Sequence, residues 1–536
     1  KEQAAYIADS YGYPPLLALL LATRGICGRE EIEDFLSEGF FSDPWEWKGM
    51  KEAVARISRA IENYESIAVY GDYDADGVTA TVLFYSYLES CGANVIYYIP
   101  SREEEGYGMS ETGVSRLAEK GVRLIVTVDN GISAVREIAY AASLGIDTVV
   151  TDHHTPPQIL PEAVAIVNPH QPGCGSSYKE FCGVGVAFKV VCALEGENCD
   201  SGLLLENFAD LIAIGTVGDI VPLTGENRSL VKRGLPMICQ TERLGLRSLL
   251  KCAGLENKPV SAGDVAFKIV PRINAMGRMG SSERAVRLFL SDYEQEADEI
   301  AEQMNEENSA RQQEEVKILR ELSSQIEQEP DRLLDRVLVF WGEGWHQGVL
   351  GIVSSRVTEK YGKPSVILST CGTEAKGSAR SIPGFSIHEA LTSCQELLTK
   401  YGGHTLAAGM TLPVENLPAF RQALNETAAE REEEVYPVLS IDLKLKPSLV
   451  GLDTVKQMEA LAPFGAGNPT PVFGLYHMRL EEIVPLSGGK HLRLSFSREE
   501  TRISALRFGM GPEEFPYSKG DILDLAVNLE RSEYRG

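Results

Sequence analysis

Apolar and polar positions divide the chain into stretches of different period. Over residues 1–50 the apolar side chains gather in two short helical runs, Leu16–Ala22 and Glu30–Leu36, followed by an aromatic stretch around Pro44-Trp45-Glu46-Trp47. This part reads as an N-terminal helical segment. From about 51 to 235 short β-rich runs take over, at Ile67–Tyr70, Val95–Ile99, Leu124–Val128, Thr148–Thr151 and Val164–Val167. Between several of them lie helical stretches, Val78–Ser90, Ser110–Lys120 and Ser133–Ser143. Strands alternating with helices of that length predict a parallel sheet wound by right-handed crossovers.

Residues 236–331 form a connecting region dominated by one long charged helix, Tyr293 to about Glu329. Ile300, Met304, Ile318, Leu322 and Ile326 recur at helical spacing, and at about 1.5 Å per residue the helix could span some 50 Å. The stripe breaks at Asn308 and Arg311, which favours a helix connecting two domains over a coiled-coil dimer. A second α/β unit is expected over 332–435, with strands Val337–Trp341 and Pro364–Leu368 and helices Gly348–Tyr361 and Ile387–Leu398. The remainder, 436–536, is strand-dominated: Leu439–Leu445, Val472–Pro485, His491–Phe496, Arg502–Phe508 and Ile522–Leu529. That succession predicts a small barrel. It ends just past a strand at Glu533-Tyr534-Arg535-Gly536, which points to a barrel short of its last strand. The acidic run Glu430–Glu434 reads as a solvated helix face or linker.

Composition narrows the class. A chain of 536 residues exceeds what one core supports, so three or four domains are expected. No apolar run is long enough to cross a bilayer, which predicts a soluble protein. None of the ten cysteines stands in a Cys-x-x-Cys pair, which argues against a zinc knuckle and suits a reducing cytoplasm. The 51 basic and 77 acidic residues give a net charge of −26. A protein that coats nucleic acid usually carries a basic field. Any DNA path here must therefore be local, made by a few arginines and bound cations.

The candidate chemistry stands just behind the expected strands. Gly71-Asp72-Tyr73-Asp74-Ala75-Asp76-Gly77 follows the first, Asp129-Asn130-Gly131 the third, and Asp152-His153-His154 the fourth. A further group, Gly215-Thr216-Val217-Gly218-Asp219, follows the apolar run Leu211–Ile214, read as another strand end. Ligands of a parallel sheet bind outside the carboxyl ends of its strands, so these groups should converge. Carboxylates select Mg²⁺ or, with imidazole present, Mn²⁺. Two cations about 3.5–4 Å apart would neutralise such a cluster and clamp both oxygens of an in-line phosphoryl displacement. Each motif alone has a plainer reading. Asp-Asn-Gly is usually a turn, and Asp-x-Asp-x-Asp-Gly could open an EF-hand. An EF-hand would need a glutamate near Phe84 and a helix in front of the loop, and both are missing. Several such motifs at strand ends are harder to dismiss.

In this order GDYDADG, VDNG, DHH and GTVGD resemble the motifs of the DHH phosphoesterase superfamily. The resemblance implies that Asp74, Asp76, Asp129, His153 and Asp219 hold two divalent cations, Mn²⁺ or Mg²⁺, with Asp129 bridging. It implies that His154 contacts the scissile phosphate or leaving oxygen and that Asp152 orients its neighbours, while the role of Asp72 stays open. Gly377-Ser378-Ala379-Arg380-Ser381 and Gly402-Gly403-His404 resemble the DHH-associated domain, which binds substrate. Trp345 to Val353 with Arg356, Pro271 to Arg278 with Arg272 and Asn274, and Arg102 with Glu105-Gly106-Tyr107-Gly108 resemble segments of the RecJ family. Pro463-Phe464-Gly465-Ala466-Gly467-Asn468-Pro469 opens a stretch similar to the RecJ oligonucleotide-binding (OB) barrel. Departures are mild: Met276 and Gly218 stand where alanine is usual.

By resemblance, then, the fold is a parallel-sheet DHH domain and a second α/β domain joined by a long helix, with an OB-like barrel behind. The implied function is 5′-to-3′ exonuclease action on single-stranded DNA in repair and recombination. The substrate contacts implied are Arg102, Arg272, Asn274, Arg278, Arg356, Ser378, Arg380, Gly402, Gly403 and His404. A single-stranded-DNA-binding protein and a helicase are implied partners of a monomer. A small-substrate DHH phosphodiesterase, acting on oligoribonucleotides or cyclic dinucleotides, would share the metal motifs; the long helix and the barrel favour a polymer. A non-catalytic replication scaffold would tolerate lost ligands, and here every motif position is filled.

Overall fold

The computed structural model describes residues 2–37, 39, 41–102, 104–196, 199–279, 281–429 and 438–531. The acidic run Glu430–Glu434 and the terminal Glu533–Gly536 lie outside the described residues. The chain forms two compact units, one of residues 1–100, 105–270 and 439–536, the other of 101–104 and 271–438.

In the first unit, β1 (Ile67–Tyr70), β2 (Val95–Tyr98), β3 (Leu124–Val128), β4 (Asp147–Thr151) and β5 (Ala165–Val167) make a parallel sheet in the order β2-β1-β3-β4-β5. β1 and β3 are buried on both faces, which is why they read as unbroken apolar runs. Ala68, Tyr70, Ile125 and Val150 face the helices Glu111–Glu119 and Val135–Ser143. The helices Ala75–Ser90 and Gly183–Leu194 pack on the sheet as well, Ala75–Ser90 against β1 and β3 and Gly183–Leu194 against β3 and β4. The order reverses between β1 and β3, and that switch point opens a crevice at the carboxyl ends of both strands.

Leu211–Ile214 departs from expectation. It lies inside the helix Ser201–Gly218, not in a strand. This helix is long and apolar enough to cross a bilayer. Its Leu211, Ile212, Ala213 and Ile214 are fully buried, and it packs against Ala75–Ser90 and Gly225–Cys239 as a core helix. A short run of buried apolar residues does not distinguish the two states by period, which explains the misreading.

The same unit carries a second, curled sheet. β11 (Leu443–Lys444), β12 (Phe473–Leu486), β13 (His491–Arg498) and β14 (Thr501–Arg507) follow one another, and β15 (Ile522–Val527) pairs with β12. The run Leu439–Leu445, expected as a full strand, contributes only β11. The N-terminal helices Glu2–Tyr11, Pro15–Thr23 and Arg29–Leu36 share the core of this sheet. Ile7, Leu17, Leu20, Leu21 and Ile32 pack with Leu445, Met458, Phe473, Leu475, Leu480 and Phe496.

In the second unit, β6 (Leu338–Glu343), β7 (Ser365–Cys371), β8 (Glu374–Arg380), β9 (Lys400–Gly403) and β10 (Ala407–Pro413) form a mixed sheet in the order β6-β7-β8-β10-β9. Only its first two strands were legible, because β8, β9 and β10 are rich in glycine and alanine, poor strand formers. The expected helix Ile387–Leu398 stops at Ser393 and continues as the 3₁₀ turn Gln395–Leu397. The long helix, Glu294–Gln328, lies wholly within this unit and packs on Glu283–Leu290 and Gln347–Tyr361. Asn308 and Arg311 do not face solvent. Arg311 donates to Asn308 Oδ1 at 3.1 and 3.2 Å and to Glu315 Oε2 at 2.9 Å, a buried polar network. Further along, Ile318 and Leu322 join Phe340, Trp345, Val349 and Val353 in one core. The apolar stripe is thus covered by the helix's own chain.

Candidate metal centre

The turn after β1 delivers Asp72, Asp74 and Asp76 in alternating positions. Asp74 is the N-cap of the helix Ala75–Ser90: its Oδ1 accepts from the backbone N–H of Asp76 at 3.0 Å and of Gly77 at 3.1 Å. Asp76, in the first turn, accepts from the N–H of Gly183 at 2.6 Å and of Val184 at 2.8 Å. Those amides open the helix Gly183–Leu194, so the positive end of its dipole meets the carboxylate.

β3 is followed by Asp129, which has φ +63°, a left-handed conformation unusual for a non-glycine residue. The next residue holds this turn: Asn130 Nδ2 donates to the carbonyls of Tyr70 at 3.1 Å and Val128 at 2.9 Å. β4 is followed by Asp152, His153 and His154. Asp152 is buried and accepts from Ile132 N at 2.9 Å, His153 N at 2.7 Å, and His154 N and Nδ1 at 3.1 and 2.8 Å. Asp219 comes from elsewhere. It caps the carboxyl end of the buried helix Ser201–Gly218, and this corrects its expected origin at a strand end.

These side chains converge. His153 Nε2 lies 3.1 Å from Asp129 Oδ1, 3.6 Å from Asp219 Oδ2 and 3.9 Å from Asp76 Oδ2. Asp76, His153 and Asp219 offer ligand atoms within 4.8 Å of one another, as do Asp72, Asp74 and Asp129. Asp129 Oδ1, His153 Nε2 and both Asp72 oxygens are buried without a hydrogen bond of normal geometry among the described residues. Buried polar atoms left in that state are costly, and ligation by a cation satisfies them. The donor set of carboxylates and one imidazole suits Mn²⁺ or Mg²⁺.

The electrostatics agree. Burial, then the neighbouring Asp74, pushes Asp76 up to about 7; burial, then Asp76 and Asp74, pushes Asp219 up to about 8. Asp72 and Asp129 rise well above the carboxylate range for the same reasons. Without cations these acids cannot all ionise together. His153 is held down to about 4 by burial and by His154, so it stands as a neutral imidazole with an open lone pair. His154 moves the other way: burial opposes its charge, but the Asp152 hydrogen bond and charge, with Asp219 and Asp76, carry it up to about 9.

Two glycines permit this density. A Cβ on Gly183 would sit 2.4 Å from Asp129 Cβ, and one on Gly215 would sit 2.4 Å from Thr79 Oγ1 and 2.9 Å from Asp76 Oδ1. Two residues beyond the expected ligand set also stand here. Asp72, whose role was open, joins Asp74 and Asp129. Tyr107 places its hydroxyl 3.3 Å from the Asp129 carbonyl and 3.1 Å from His154 Nε2. Its only sequence signal was membership of the Glu105-Gly106-Tyr107-Gly108 segment.

The expected substrate contacts fall in the second unit. Ser378 and Arg380 sit on β8, where Arg380 Nη1 donates to Ser378 Oγ at 3.0 Å and to the Ala379 carbonyl at 2.8 Å. Burial, then the charge of Arg102, lowers the Arg380 pKa, so Arg102 lies within electrostatic reach of it. Arg272, Asn274 and Arg278 lie on the helix Val270–Met279; Arg272 Nε donates to Asn305 Oδ1 at 3.1 Å and Arg278 Nη1 to the Gly348 carbonyl at 2.9 Å. Arg356 Nε lies 3.3 Å from Glu315 Oε1. Gly402 and Gly403 are on the edge strand β9, and His404 follows in the turn to β10, all exposed.

Comparison with known proteins covers most of the chain. Residues 66–216 match the DHH family N-terminal domain, 334–430 the DHHA1 domain and 441–536 the RecJ OB domain. The single-stranded-DNA-specific exonuclease RecJ of Bacillus subtilis is 40% identical over 100% of this chain and 68% of its own length. That of Haemophilus influenzae is 33% identical over 100% of this chain and 96% of its own. The crystal structure of RecJ with Mn²⁺ from Thermus thermophilus superposes with TM-score 0.84 at 32% identity, covering 100% of this chain and 76% of that one. The corresponding Mg²⁺ complex gives TM-score 0.77 at 31% identity, covering 100% and 74%.

Proposed function

Because this chain belongs to the RecJ family of single-stranded-DNA-specific exonucleases, we propose that it removes nucleotides successively from the 5′ end of a DNA strand, with Asp74, Asp76, Asp129, His153 and Asp219 as its metal ligands. It is a metal-dependent single-stranded-DNA exonuclease that works with Mn²⁺ or Mg²⁺. The observation that carries the ligand assignment is the convergence on His153 of carboxylates from Asp76, Asp129 and Asp219, with unsatisfied buried atoms between them. Asp76, His153 and Asp219 would hold one ion, Asp74 the other with Asp72 beside it, and Asp129 both. Bound there, the pair would supply Lewis acidity to the phosphodiester and lower the pKa of water from about 15.7 toward neutrality.

The protein's own groups do the remaining work. Asp152 holds His154 through Nδ1, which aims the other ring nitrogen outward for the scissile phosphate or the leaving oxygen. Arg102, Ser378 and Arg380 present a guanidinium pair and a hydroxyl to a backbone phosphate. Arg272, Asn274, Arg278, Arg356, Gly402, Gly403 and His404 extend contact along the strand, and the curled sheet adds base stacking. Local cations of this kind reconcile DNA binding with a net charge of −26. In domain terms, 1–50 is a helical segment, 51–235 the catalytic domain, 236–331 the connection, 332–435 the substrate-binding domain and 436–536 the nucleic-acid-binding barrel. The enzyme would act in the cytoplasm as a monomer in DNA repair and recombination, beside a single-stranded-DNA-binding protein and a helicase.

Long single strands blocked at one end or the other test polarity directly. Digestion should stop with the 5′ block and continue with the 3′ block, and cyclic dinucleotides should survive. Digestion from a free 3′ end alone would overturn the proposed direction.

A further inference from the structure

Tyr107 has no part in the reaction as described so far, yet it touches two of its groups. Asp152 Oδ1 takes the Nδ1 end of His154 at 2.8 Å, which leaves Nε2 as the outer end of the ring. The Tyr107 hydroxyl lies 3.1 Å from that nitrogen, 3.4 Å from Nδ1 and 3.3 Å from the carbonyl of Asp129, to which it donates. Such similar distances to both ring nitrogens place the hydroxyl against the ring and off the outward Nε2 axis. The hydroxyl thus braces the His154 ring against the backbone of Asp129 while Asp152 holds Nδ1.

The rest of Tyr107 is unusual for an anchored tyrosine. With its hydroxyl held inside the site, the residue is 51% exposed. Tyr73 meets its ring at 6.2 Å and 84°, and the His154 ring lies 5.7 Å away on an inclined plane. The result is a braced aromatic surface beside the groups that address the phosphodiester. Base–aromatic stacking tolerates any sequence, because every base has a π face. An exonuclease, which meets each base in turn, needs that tolerance.

We propose that Tyr107 is a positioning residue whose hydroxyl sets the His154 ring and whose open ring receives the base of the nucleotide being removed. The proposal rests on the exonuclease reading above. Its two halves separate in two variants of the full chain, assayed with Mn²⁺ on long single-stranded DNA. Tyr107→Phe should lower kcat by about 10- to 100-fold with KM within about twofold, since the ring remains. Tyr107→Leu should show the same loss in kcat and, in addition, raise KM by about 5- to 20-fold. Selective ¹⁵N labelling of histidine supplies a readout independent of turnover: the His154 ring signals should shift in Tyr107→Phe while Mn²⁺ affinity, by calorimetry, holds. Wild-type kcat and unmoved His154 signals in Tyr107→Phe would overturn the role of the hydroxyl, and equal KM in the two variants would overturn that of the ring. Failure of the wild-type protein to digest single-stranded DNA would instead count against the exonuclease reading, and the histidine spectra would still decide the hydroxyl's part.

Discussion

His153 Nε2 and Asp129 Oδ1 stand 3.1 Å apart, both buried, and among the described residues neither has a hydrogen bond of normal geometry. A lone pair and a carboxylate oxygen facing each other across that gap repel unless a proton or cation lies between them. The pair is therefore the most direct structural statement of what the crevice is for.

Replacing Asp129 by Ala removes the carboxylate that lies 3.1 Å from His153 Nε2 and also joins Asp72 and Asp74. Hydrolysis of single-stranded DNA should fall roughly 10³- to 10⁶-fold, as for loss of a core catalytic group. Thermal melting without metal should hold or rise, because one of several mutually repelling buried acids is gone. Retained turnover would overturn the assignment of Asp129 as a metal ligand.

The raised pKa values give the metal-free protein a definite pH response. A carboxyl whose folded pKa lies above its unfolded value binds more protons folded than unfolded, so its contribution to stability falls as pH rises. For Asp219 the window runs from its usual value of 3.8 to its folded value of about 8. Stability of metal-free wild type relative to Asp219→Asn should therefore decline across that window and level off above it. Saturating Mn²⁺ should reverse the ranking at neutral pH. Parallel denaturant titrations of the two proteins test this, and a flat difference would contradict it.

Asp152→Asn keeps the volume and much of the backbone hydrogen bonding but loses the carboxylate that holds His154 Nδ1. We expect kcat to drop about 10²- to 10⁴-fold with little change in KM. Steady-state kinetics on a single-stranded substrate give the split directly; an unchanged kcat would remove Asp152 from the mechanism.

On the substrate side, Arg380→Ala should weaken binding and reduce its salt dependence. Loss of one phosphate contact lowers the slope of log K against log salt by about 0.7 for a single strand. Fluorescence anisotropy at several salt concentrations, with Ca²⁺ in place of the catalytic ions, measures it. An unaltered slope would place Arg380 in a structural role.

Gly183→Ala probes one of the closest approaches in the site. The added methyl would meet Asp129 Cβ at 2.4 Å, so the helix or Asp129 must shift. About 1–3 kcal/mol of stability should be lost, and Mn²⁺ affinity should fall about 10- to 100-fold. Calorimetry reads both.

Much of this was legible in the chain before any coordinates. The acids and histidines after β1, β3 and β4 announced themselves because a strand end is marked by both period and a following Gly or Asp turn. Asp219 was placed in the cluster for the wrong structural reason: its apolar run could have been strand or buried helix, and only packing decides. Asp72 and Tyr107 were harder. Which of three alternating aspartates faces a partner depends on how the turn bends, and a tyrosine's hydroxyl reaches its targets through tertiary contact alone. In the second unit, glycine-rich β8 and β9 carried a recognisable motif but no strand signature, since residues suited to close backbone approach are the ones that weaken the β pattern.

The shared core of the N-terminal helices and the curled sheet has a consequence for how the molecule is made. Leu17, Leu20 and Leu21 leave the ribosome early, yet partners such as Phe473, Leu475 and Phe496 come some 450 residues later. Until those partners are made, these leucines lack that cover while the intervening chain folds. A nascent chain of this kind keeps that apolar face exposed until β12 is made, and a break in synthesis before β12 would leave a sticky, unfinished product.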